Sequence, residues 1–94
     1  METVFYVLLR CWTPKGCEKF GRFELGFDSE FAYTIFSELE GTTEAQESDS
    51  ITMELVETKG GLPVNLKIIS CTLDQLGFNC RQLTKEIFKQ SIHK

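Results

Sequence analysis

Ninety-four residues, 41% of them hydrophobic and eight of them phenylalanine, are enough for one domain with its own core and need no metal or disulfide to fold. The formal charge is −4 and unevenly spread, with ten acids and no lysine or arginine between residues 23 and 58. An acidic middle of this kind makes nucleic acid an unpromising partner, and the apolar run Val4–Leu9 falls far short of the ~20 residues of a membrane-spanning helix.

The expectation is a single domain over 1–94. Glu2 stands where a secretory leader would carry positive charge, so the expected location is cytoplasmic. Cys11, Cys17, Cys71 and Cys80 are not paired at the two- to four-residue spacing of a zinc knuckle. They read as reduced, buried thiols, and no metal or other cofactor is expected.

In chain order, VFYVLLRCWT (4–13) is rich in β-branched and aromatic residues and predicts a strand. Its odd positions Phe5, Val7, Leu9 and Cys11 are apolar, while the even ones mix Tyr6, Leu8, Arg10 and Trp12. A central strand with one face in the core accounts for that pattern. Pro14 and Gly16 mark a connection. A second strand follows near Phe20–Phe27, with Phe23, Leu25 and Phe27 on one face, Arg22 and Glu24 on the other.

Asp28 is placed to cap a helix, with Phe27 and Ala32 spaced for a hydrophobic staple across its start. Phe31, Ala32, Ile35, Phe36 and Leu39 form one stripe at helical period, and Gly41 reads as the stop. Residues 41–50, GTTEAQESDS, are polar, acidic and aperiodic, and predict a flexible surface loop.

Ile51, Met53 and Leu55 alternate with Thr52 and Glu54, with Val56 out of phase. Lys59-Gly60-Gly61 is a turn, and Val64–Cys71 a further strand with Val64, Leu66 and Ile68 on one face and Asn65 and Lys67 on the other. Leu73, Leu76, Cys80, Leu83 and Ile87 then predict a long helix over Leu73–His93, opened by a Thr72/Gln75 capping box. Gly77 falls on its apolar stripe, where a missing side chain suggests close approach to the sheet. The triplet Leu-Gly-Phe occurs at 25–27 and again at 76–78. Periodicity puts the first at a strand end and the second inside a helix, so the shared letters carry no shared job; the alternative starts the last helix at Asn79 and makes the two sites counterparts.

The order is ββαββα: an α+β two-layer sandwich, with a four-stranded, mostly antiparallel sheet and two helices on one face. Strand order depends on pairings that local patterns do not specify. Catalytic machinery is not indicated. The one histidine, His93, stands one residue from the last, no acid pair is embedded in apolar sequence, and Lys59-Gly60-Gly61 lacks the context of a phosphate-binding loop. No catalytic or metal-binding residue is therefore assigned, and an enzyme is not expected.

Attention falls instead on the uncovered sheet face, where Tyr6, Leu8, Arg10, Trp12, Arg22, Glu24 and Lys67 are expected to gather. Aromatic residues and arginine are favoured at interfaces. The leading expectation is a non-enzymatic, cytosolic interaction module that self-associates through this face, or takes another protein there. The alternative is a regulatory domain binding a small anionic ligand or nucleotide at the Arg10/Trp12/Arg22 surface.

Overall fold

The computed structural model describes residues 3–44 and 50–92. His93 and residues 45–49 of the acidic segment lie outside them. The elements run β1 (Thr3–Thr13), β2 (Gly16–Gly26), α1 (Ser29–Ser37), β3 (Ile51–Lys59), β4 (Leu62–Ser70) and α2 (Leu73–Ile92). The sheet is antiparallel throughout, in the order β2-β1-β3-β4. Two hairpins meet along a β1–β3 seam, and both helices cover one face, as the sequence pattern implies.

The covered face is built from alternate strand positions. Val7 stands between Phe23 and Leu55, and Met53 between Leu9 and Ile69. Ala32, Ile35 and Phe36 of α1 and Leu83 of α2 close over them. Burying side chains of this size stabilises the fold by roughly 1.5–3 kcal/mol each.

Helix α1 starts where Asp28 predicts it, the carboxylate accepting from the backbone N–H groups of Glu30 and Phe31. Phe27 is 64% exposed, which leaves little of the ring for a staple over Ala32. Gly26 adopts φ 89°, a left-handed conformation that a side chain would strain, and so ends β2. The capping box of α2 forms in both directions: Gln75 N–H donates to the Thr72 hydroxyl at 3.2 Å, and Thr72 N–H donates to the Gln75 side-chain oxygen at 2.9 Å. Leu76-Gly77-Phe78 lies well inside that helix.

Five local expectations are corrected. Strand β2 begins at Gly16, well before Phe20, and register shifts at Phe20 and Leu25 break its alternation. A further shift at Leu66 in β4 puts Val64 and Ile68 on opposite faces and turns Lys67 to the helix side, opposite Leu55. Gly41 does not cap α1, which ends at Ser37. It lets the chain run against β4, since a Cβ there would sit 2.7 Å from the Ser70 carbonyl oxygen. Thr42 and Ser70 then exchange two backbone hydrogen bonds of 2.9 Å. Gly77 meets only the tip of Arg81 and permits no close approach, and Leu73 at the helix start is exposed rather than packed.

One buried polar group joins the layers. Asn79 is 0% exposed; its Oδ1 accepts from the Glu40 N–H at 2.7 Å and its Nδ2 donates to the Glu40 carbonyl at 2.8 Å. Cys71 and Met53 put their sulfurs against the same nitrogen.

Candidate functional site

The uncovered face is organised in rows across the strands. One row reads Glu24, Tyr6, Val56, Asn65; the next Arg22, Leu8, Glu54, Ile68; the third Lys19, Arg10, Thr52, Ser70. Trp12 follows, opposite Cys17. Tyr6, Leu8, Arg10, Trp12, Arg22 and Glu24 thus share one surface, as the alternation of β1 and β2 suggests. Lys67 does not join them, because the irregularity at Leu66 sends it through the sheet plane.

The middle of this face is buried although no helix among the described residues lies over it. Tyr6, Leu8 and Val56 form a small buried cluster made only of strand residues, and Val56 is 1% exposed. Longer neighbours shield it. The Arg22 guanidinium lies 3.7 Å from the centroid of the Tyr6 ring, a cation–π arrangement, and its Nε donates to the Glu24 carboxylate. That hydrogen bond raises the Arg22 pKa.

A second ion pair is more deeply set. Glu54 is 3% exposed, its Oε1 accepting from Asn65 Nδ2 at 2.7 Å and its Oε2 lying 3.0 Å from Arg10 Nε. The Arg10 Nε is buried, and its N–H is not aligned to make a hydrogen bond. The attraction is therefore Coulombic, with Asn65 supplying the directional contact.

Beside this cluster, Tyr6, Leu8, Lys19, Phe20, Gly21 and Arg22 line a groove of about 300 Å³. Phe20 is the extra residue of a bulge and is 58% exposed. Bulges re-aim side chains, and this one leaves an aromatic ring at the rim of the face. Phe20, Glu54, Val56 and Asn65 also belong to this surface, beyond the residues expected to gather there. Val56 offered a signal, since its break in the β3 alternation places an apolar side chain opposite the core.

The cysteines are free. Burial raises the pKa of Cys11, Cys71 and Cys80, with Cys17 adding to the first and Asn79 partly opposing at the second. Cys17 is exposed, contrary to the expectation of buried thiols throughout. Among the described residues there is no group of three or more His, Cys, Asp or Glu placed to hold a metal ion, and no helix long and apolar enough to cross a membrane. Comparison of the chain with protein-family models, with curated proteins and with solved structures finds no match.

Proposed function

We propose that the chain is a non-enzymatic protein-interaction module that self-associates through the uncovered sheet face. The observation that carries this reading is the pairing of charge around an apolar centre. Arg22 with Glu24 and Arg10 with Glu54 neutralise each other within one surface, around Tyr6, Leu8 and Val56 and beside the exposed rings of Phe20 and Trp12. A two-fold interface sets the same patch against itself. A surface whose charges are already paired meets its copy without strong repulsion, and its aromatic rim supplies area to bury. The free thiols are in keeping with a reducing, cytoplasmic setting.

The rival reading, a small anion held at the Arg10/Trp12/Arg22 surface, has Lys19 in its favour, since that residue lines the groove with no ion pair among the described residues. Against it, both arginines already face carboxylates.

Sedimentation velocity over a concentration series tests the proposal. The wild-type chain should shift from monomer to dimer, and Phe20→Ser with Trp12→Ala should abolish the shift while circular dichroism stays unchanged. A wild-type monomer at every concentration overturns self-association. Trp12 fluorescence that responds to inorganic phosphate or a nucleotide would favour the anion site instead.

A further inference from the structure

On the opposite side of the sheet, the end of α1 and the chain after it leave a cavity of about 490 Å³ against β4. That is within the range of small-molecule sites, which are mostly apolar with a few converging polar groups. Phe36 and Leu39 form one wall, Leu66 and Ile69 the other. The polar residues of the lining are Ser37, whose hydroxyl donates to the Thr34 carbonyl, Thr43 and Lys67.

Lys67 is the informative residue. Strict alternation would put it on the uncovered face, and the bulge at Leu66 brings it to the helix side. There its ammonium lies 5.5 Å from the centroid of the Tyr33 ring, with no carboxylate in ion-pair range among the described residues. Lys67 thus joins the lining of a mostly apolar cavity, with its ammonium beside Tyr33, a neighbour outside that lining, in a chain that carries a net charge of −4. Gly41, also in the lining, keeps the cavity wall hard against β4.

We propose that this cavity binds a small apolar monocarboxylate, its hydrocarbon or aromatic body between Phe36, Leu39, Leu66 and Ile69 and its carboxylate on Lys67. Of the residues in the rows of the interaction face, the site shares Ile68.

Amide chemical shifts of the ¹⁵N-labelled chain, titrated with octanoate, phenylpropionate, octanol and octylamine, test it. Both carboxylates should move the amides of Ser37, Gly41, Lys67 and Ile69 saturably. Octanol should bind about tenfold more weakly and octylamine not at all, as expected when a charge-assisted contact is lost. Lys67→Met should weaken octanoate about tenfold while leaving the rest of the spectrum in place. Lys67 is exposed, so this variant is expected to fold. Shifts confined to other residues, no saturable response, equal binding of octanol and octanoate, or an unchanged affinity in the variant would each overturn the assignment.

Discussion

The side chain of Asn79 is paired to the backbone of Glu40 through both of its amide atoms, at 2.7 and 2.8 Å. A single asparagine in α2 therefore imitates the edge of a strand. It satisfies one peptide N–H and one carbonyl at the point where the chain leaves α1. Asn79→Ala would leave the Glu40 N–H unpaired and its carbonyl with only the weak Cys71 thiol contact, beside a new cavity, at a cost of about 3 kcal/mol. Urea denaturation monitored by circular dichroism measures this, and a loss under about 1 kcal/mol would show that water takes over the pairing.

Two glycines should respond to the same substitution with opposite signs. Gly77 lies in a helix interior with open space around it, so Gly77→Ala should stabilise by up to about 1 kcal/mol. Gly41→Ala would force a methyl group into the Ser70 carbonyl and should destabilise by about 1–3 kcal/mol. Paired thermal melts check the signs directly.

The Arg10–Glu54 pair should be worth more intact than in halves. Glu54→Ala removes the charge facing Arg10 and the acceptor of Asn65 and should cost about 2 kcal/mol, less than a fully enclosed pair because Arg10 still reaches solvent. The double substitution Arg10→Met with Glu54→Leu should return to within about 1 kcal/mol of wild type. A double-mutant cycle at fixed protein concentration reads the coupling.

Thiol chemistry should divide the four cysteines. Cys17 is exposed and should react first with a maleimide, while Cys71 is buried and should wait for the fold to open. Burial raises the Cys11, Cys71 and Cys80 pKa values above the ordinary 9.0. The folded chain then holds those protons more tightly than the unfolded one. This contribution to stability is complete below pH 9.0 and is lost as pH rises through the raised folded-state values. Mass spectrometry of time-quenched labelling gives the order, and melts across alkaline pH give the slope.

The helices were legible from sequence because their signals are local. Asp28, Thr72 and Gln75 fix the starts, and the Ile35/Phe36 stripe declares its buried face within a few turns. The first strand was legible for the same reason, which is why Tyr6, Leu8, Arg10 and Trp12 were placed together. The errors of face came at two bulges, Phe20 in β2 and Leu66 in β4. An inserted residue reverses every later face assignment, so Lys67 was put on the wrong side and Phe20 was not seen as part of the rim. Asn79 was invisible for a different reason: a buried asparagine in a helix differs from a solvated one only through a partner far away in the chain.

The strand order has a kinetic consequence. Each hairpin closes through a short turn, but neither owns a complete core, because Val7 needs Leu55 and Leu9 needs Met53 across the β1–β3 seam. Joining the hairpins requires closing the long connection from β1 to β3, an entropic cost met before the seam gives anything back. The rate of folding should therefore be governed by the meeting of two preformed pieces. Truncations at Val7 or Leu55 should slow refolding more than equally destabilising changes in the Lys59–Leu62 turn, a contrast that stopped-flow measurements would resolve.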